Sequence, residues 1–277
     1  MSWNYVSFCP TIAGLNIGLL CREISSLLFG GQQAAVALKD WYDEMVRNYL
    51  VMPQGSVVKK AYEKVIPLAQ FSPQIHDVRA LFNRPSFGHD APTWLKPKNN
   101  FNKVKVMIVS QDPKRGDVTN GCLSLGSPFG FHDAHYRSPC LKCCNVQMYE
   151  LVEKLLAGGA MVYLTDADKF YNSDNFVKDK AAQRRIYRPI FRRVLDWEIE
   201  HYNPDLIIAV SEIAADMVGA EKPKITRGLQ NLNDRVSCFS VYHPAARNQG
   251  SNLIARLSNA RSQILAEVSR IAATKNI

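Results

Sequence analysis

The chain has 277 residues, 47% of them hydrophobic and 21% charged, enough to bury one sizeable core. No apolar run is long enough to span a bilayer, and the opening MSWNYVSFCPTIAG lacks the basic segment, apolar stretch and cleavage site of a secretory signal, so a cytoplasmic protein without membrane contact is expected. Lys and Arg exceed Asp and Glu by 34 to 25, a net charge of +9 that favours polyanionic partners such as nucleic acid.

From about residue 10 to 80, apolar residues recur at three- and four-residue spacing in REISSLLF, VALKDWYDEMVRNYL and VVKKAYEKVIPLAQ, which predicts a helical N-terminal section. Residues 85–103 gather Pro, Gly and Asn with little periodicity and predict a long connection, one able to carry DNA contacts. Beyond residue 103 short β-rich runs alternate with helical ones. The expected strands are VKVMIVS (104–110), MVYLT (161–165), DLIIAV (205–210) and VSCFSVY (236–242). Helices are expected at NVQMYELVEKLLAGG, at PIFRRVLDWEIEHY with Pro189 opening it, at SEIAADMVG and at SNLIARLSNARSQILAEVSRIAA. Right-handed crossovers then give an α/β fold whose four central strands are largely parallel. The expected division is a helical section over residues 1–100, packed on an α/β domain over 101–277 that carries the chemistry.

In such a sheet ligands bind beyond the carboxyl ends of the strands. The residues there are unusually polar: Ser110-Gln111-Asp112-Pro113, Thr165-Asp166-Ala167-Asp168-Lys169, Ser211-Glu212 and His243-Pro244-Ala245-Ala246-Arg247. Each alone is accounted for as a turn or a helix cap. Their coincidence at neighbouring strand ends points to one crevice holding carboxylates, a histidine and an arginine.

These segments resemble the motifs of the uracil-DNA glycosylase superfamily. VMIVSQDPKRG is similar to its first motif, a strand running into Gly-Gln-Asp-Pro-Tyr. VYHPAARNQ is similar to its last, His-Pro-Ser-Pro-Leu, in an Ala-Ala-Arg form like that of poxvirus members. GSPFG (126–130), YLTDADK and LIIAVSEIAADMVG resemble three intervening segments, and the likeness covers about residues 104–265. It implies a three-layer α/β/α sandwich and a monofunctional glycosylase that flips a base out of single- or double-stranded DNA, cuts its bond to the sugar and leaves an abasic site, with no cofactor required.

Breaking an N-glycosidic bond develops positive charge on the sugar and negative charge on the base, so a carboxylate near one and a hydrogen-bond donor near the other are needed. By resemblance, Asp112 activates water and stabilises the sugar cation, and His243 hydrogen-bonds the base carbonyl. The Gln111 backbone adds a donor. A flipped base needs an aromatic to stack on, and Phe129 in GSPFG has that place, with a plain core aromatic as the alternative. Arg247 follows the histidine where the family fills the gap left in the duplex. Arg115, Lys169 and Ser211 are further DNA-contact candidates, and the run Arg184, Arg185, Arg188, Arg192, Arg193 either tracks the DNA backbone or is a solvated face.

Two departures bear on the substrate. Asp166 stands where uracil enzymes carry Asn, or Asp168 does if the alignment is offset by two residues, and a carboxylate acceptor suits the exocyclic amine of cytosine better than a uracil carbonyl. Lys114 replaces the Tyr that crowds the pyrimidine C5 position, which would admit a C5 substituent. A hydroxymethylated or glucosylated cytosine of phage DNA fits both. The alternatives are uracil repair and a catalytically inert DNA-binding or replication-accessory protein. Ala245 also replaces a Ser that helps grip phosphate in the family.

Seven cysteines in a chain without an export signal favour reduced thiols or metal over disulfides. His132, His135, Cys140 and Cys143, with Cys144, have the spacing of a structural zinc site, and a metal-free loop of thiols fits equally. The superfamily's iron–sulfur branches place a cysteine pair before the first motif, whereas here the cluster follows it. Protein partners are not indicated.

Overall fold

The computed structural model describes residues 6–8, 11–12, 15–16, 64–67, 87–97, 104–113, 122–131, 146–169, 171–172, 180–221, 229–233, 235–244 and 253–275, with a few isolated positions near the N-terminus. The strands in chain order are β1 Val6–Phe8, β2 Thr11–Ile12, β3 Leu15–Asn16, β4 Lys64–Pro67, β5 Phe87–Asp90, β6 Thr93–Pro97, β7 Lys105–Ser110, β8 Cys122–Gly126, β9 Met161–Asp166, β10 Tyr171–Asn172, β11 Leu206–Val210, β12 Leu229–Asn231 and β13 Ser237–Val241. The helices are α1 Val146–Ala157, α2 Lys180–Tyr202, α3 Glu212–Val218 and α4 Leu253–Lys275.

The main sheet runs β1-β6-β9-β7-β11-β13-β12. Its four central strands are the four expected from the sequence, and they are mutually parallel. Val106 to Val109 and Leu206 to Val210 are buried without a break, as strands covered on both faces require. From β7 the chain crosses by α1 to β9 on one side, then by α2 to β11 on the other. Right-handed crossovers in opposite directions put α1 and α2 on opposite faces. Accordingly α1 packs with α4, and α2 with α3, around the sheet. The reversal makes the carboxyl ends of β7 and β11 the switch point of the sheet, where a doubly wound fold opens a crevice.

Three expectations are corrected. The connection over 85–103 contains β5 and β6, and β6 pairs antiparallel with β9 and β1 to extend the sheet. Its Pro92 and Pro97 punctuate the strands instead of abolishing them, because a strand end needs no ladder N–H from proline. In the N-terminal section VVKKAYEKVIPLAQ is a strand at Lys64–Pro67, paired with β8. Its β-branched Val65-Ile66 answers to a partner far along the chain instead of to its own helical spacing. REISSLLF and VALKDWYDEMVRNYL lie almost wholly outside the described residues. Finally, Pro189 sits inside α2 and does not open it. The preceding KAAQRRIYR is rich in helix formers, and Pro189 is exposed, so water can meet the carbonyl it leaves unbonded.

A second sheet, β10-β5-β8-β4, brings residues from before the first motif to the same end of the molecule. In it β5 runs parallel to β8, with Asp90 opposite Gly126 of GSPFG. Among the described residues no helix is long and apolar enough to cross a membrane.

Candidate active site

The site is built at the carboxyl edge of the parallel strands. The register pairs Ser110 with Asp166, and the ladder continues past the strands through Ala167 N–H to the Ser110 carbonyl (2.9 Å) and Asp168 N–H to the Gln111 carbonyl (2.8 Å). This holds Asp112 beside the acidic loop after β9. Asp112 is half-buried, and the Gln111 side-chain amide donates to its Oδ2 at 3.0 Å. The expected contribution of Gln111 was its backbone; its side chain orients the carboxylate as well.

His243 follows β13, two strands from Asp112. At a strand spacing of roughly 4.8 Å the two strand ends stand about 10 Å apart. The ring of Phe129 stacks on His243, centroids 5.8 Å apart and planes 16° from parallel. Phe129 takes φ 56 and ψ 12, a left-handed conformation that a bulky side chain rarely adopts. Pro128 before it, Gly130 after it at φ 69, and the Tyr149 hydroxyl donating to its carbonyl hold it there. Phe129 is partly buried and also packs against the core.

Ser211 ends β11 at φ 141 and ψ 168, a region close to glycine-only, while its hydroxyl caps α3 by accepting from Ala214 N–H at 3.0 Å. It is buried beside the switch point.

Asp166 is 2% exposed, and neither carboxylate oxygen has a hydrogen-bond donor among the described residues. Burial holds its carboxyl well above the usual range. The negative charges of Asp90 and Asp112 add to this, and Lys169 opposes it.

Lys169, expected at the DNA, is only 3% exposed. Its ammonium donates to Glu198 and to Thr165 Oγ1 (2.7 Å), while Thr165 and Tyr163 hydroxyls donate to the other Glu198 oxygen at 2.8 and 2.9 Å. A cation so engaged is not available to a phosphate. It is a buttress for the loop that carries Asp166.

Sequence reasoning missed Asp90 and Glu198. Asp90 was hidden in a segment whose prolines suggested a loop, and Glu198 is one acidic residue in an otherwise amphipathic helix. Of the arginine run, Arg188 pairs with Asp216 and Arg192 with Asp196, both exposed. Lys114, Arg115, Arg247 and the cluster His132, His135, Cys140, Cys143 lie outside the described residues. Among the described residues no group of His, Cys, Asp or Glu has the arrangement of a metal site.

A sheet with a reversal point, a carboxylate and an imidazole at its carboxyl edge, and an aromatic stacked on the imidazole define a doubly wound α/β protein. The family model of the uracil DNA glycosylase superfamily matches residues 98–268. The chain belongs to that superfamily, whose members are typically DNA glycosylases, and membership implies binding to DNA. No curated protein matches the chain.

Proposed function

We propose that the protein is a monofunctional DNA glycosylase that hydrolyses the N-glycosidic bond of a flipped pyrimidine, a cytosine carrying a hydroxymethyl or glucosylated hydroxymethyl group at C5, and leaves an abasic site. The observation that carries the reading is Asp166, a buried carboxyl at the carboxyl edge of the sheet with neither oxygen given a hydrogen-bond donor among the described residues. A carboxyl keeps an acceptor oxygen whether or not it is protonated, and cytosine offers an amine where uracil has a carbonyl.

Asp112, aligned by Gln111, takes the proton of the attacking water and faces the cationic sugar. His243 donates to the base carbonyl as negative charge gathers there, and Phe129 offers the ring on which the base stacks. Lys114 in place of a bulky tyrosine leaves space at C5, and Arg247 fills the duplex. Bases of this kind mark viral genomes, so the activity would serve defence against phage.

Incubating the protein with DNA containing uracil, cytosine or glucosylated hydroxymethylcytosine, and identifying released bases by mass spectrometry, tests this. Release of the modified cytosine is expected. Release of uracil alone would return the protein to repair, and abasic sites from no substrate would leave a DNA-binding protein.

A further inference from the structure

The segment from Asp166 to Lys169 is tied to three other elements. Toward β7, Ala167 N–H donates to the Ser110 carbonyl at 2.9 Å and Asp168 N–H to the Gln111 carbonyl at 2.8 Å, the two residues that lead into Asp112. Toward β5, His89 Nδ1–H donates to the Lys169 carbonyl at 2.6 Å. Toward α2, the Lys169 ammonium donates to Glu198 Oε2 at 2.5 Å and to Thr165 Oγ1 at 2.7 Å. Glu198 is 1% exposed, and its Oε1 accepts from the Tyr163 and Thr165 hydroxyls at 2.9 and 2.8 Å. A buried ion pair adds little stability over an apolar pair of the same volume, because desolvation consumes the Coulomb gain. What this one adds is direction, since every bond that holds the Lys169 head has a fixed partner on α2 or β9.

We propose that Glu198, acting through Lys169, is a positioning residue for the reaction and sets the place of Asp166 relative to Asp112. The inference rests on the glycosylase reading above and deepens it. In that reading Asp166 holds the base and Asp112 activates the water, so their spacing decides whether the sugar carbon stands in front of the water. One short segment controls that spacing, because it carries Asp166 and is bonded to the backbone that leads into Asp112. Side chains alternate along β9, so Tyr163 and Thr165 face Glu198 of α2 while Asp166 turns to the other side of the sheet. Glu198 therefore touches neither base nor water, and its influence runs through the chain of bonds to Lys169.

Two variants separate direction from stability. Glu198→Gln keeps the shape, and its amide oxygen still accepts from Tyr163 and Thr165. Its amide nitrogen, however, turns donors on the Lys169 ammonium, which must swing away and draw the loop with it. Lys169→Met combined with Glu198→Gln removes that conflict together with both charges. It leaves an apolar stem of similar length that packs in the same space with no bond to direct it.

Single-turnover release of modified cytosine, with protein in saturating excess over DNA, reads the bond-breaking step independently of how much of the protein is folded. The rate is expected to fall by about 10²-fold in Glu198→Gln, the cost of misplacing reacting groups by about 1 Å. It is expected to stay low in the double variant, although the melting temperature there returns toward that of the wild type. A wild-type rate in either variant would make the pair merely structural and overturn the proposal. If Glu198→Gln does not fold, the double variant decides. A wild type that releases no base sinks the glycosylase reading separately, and hydrogen exchange at the Ala167 and Asp168 amides then decides the placement, with Ile208 of β11 as the internal reference. Faster exchange confined to those two amides is expected in the double variant, and unchanged protection overturns the proposal.

Discussion

In the proposed reaction hydrolysis turns on Asp112, and its setting suits that role. It stands at a switch point, half-buried, with one oxygen held by the amide of its neighbour Gln111. Asp112→Asn keeps the shape and removes the base, and the rate of abasic-site formation is expected to fall by about 10²–10⁴-fold, measured by alkaline cleavage of end-labelled DNA. Asp166 has an effect on stability as well as on substrate choice. Its carboxyl, raised by burial and by Asp90, binds a proton more tightly in the folded than in the unfolded chain. That contribution is complete below the unfolded carboxyl value and lost as pH rises through the folded one. Asp166→Asn is therefore expected to melt above the wild type at about pH 8, the difference closing toward about pH 4. It should also move activity from cytosine toward uracil. A melting difference independent of pH would show that Asp166 is ionised in the folded state. The positions of Asp112, His243 and Asp166 at the carboxyl ends of the parallel strands were legible in the sequence because each lies at the end of a recognisable strand. Asp90 was not, since its partner lies 76 residues on (166 − 90).

Among the elements, the loop after β9 and the start of α3 carry the most tension. The loop is anchored by Lys169 to Glu198 of α2, in a network closed by Thr165 and Tyr163. Removing one partner of a buried pair leaves a bare charge, so Glu198→Ala is expected to destabilise the fold by about 3–5 kcal/mol in urea denaturation. A loss below about 1 kcal/mol would mean that water reaches Lys169. Beneath the same strands, Tyr202 stacks on Tyr163 at 4.9 Å and meets Trp94 edge-on at 5.5 Å, joining α2 to β9 and β6. At the head of α3, Ser211 combines a helix cap with a backbone conformation that suits glycine. Ser211→Gly gives up a few tenths of a kcal/mol of capping and relieves about 1–3 kcal/mol of strain, so thermal stability should rise. An unchanged or lower melting temperature would show that the conformation is not strained. Helix and strand types were legible here from period and length. The interior position of Pro189 was not, because a proline that opens a helix and one carried on an exposed face read alike.

At the scale of the molecule, the net charge of +9 and membership of a DNA-processing superfamily predict binding dominated by phosphate contacts. Affinity for duplex DNA of random sequence, followed by fluorescence anisotropy, is expected to fall steeply and linearly in log–log form as salt rises from about 50 to 200 mM. A flat response would place the excess charge away from the DNA. What the sequence determined by itself was the parallel core and the polar residues at its carboxyl edge. Apolar runs, turn residues and motif spacing are local signals, and right-handed crossovers convert them into a sheet with little freedom left. What only the tertiary structure decided was which charges meet. It brought β5 against the loop after β9, turned Lys169 inward to Glu198 and set Asp90 beside Asp166. Those outcomes depend on non-local strand pairing and on the energy of burying charge, and neither is written in any single stretch of the chain.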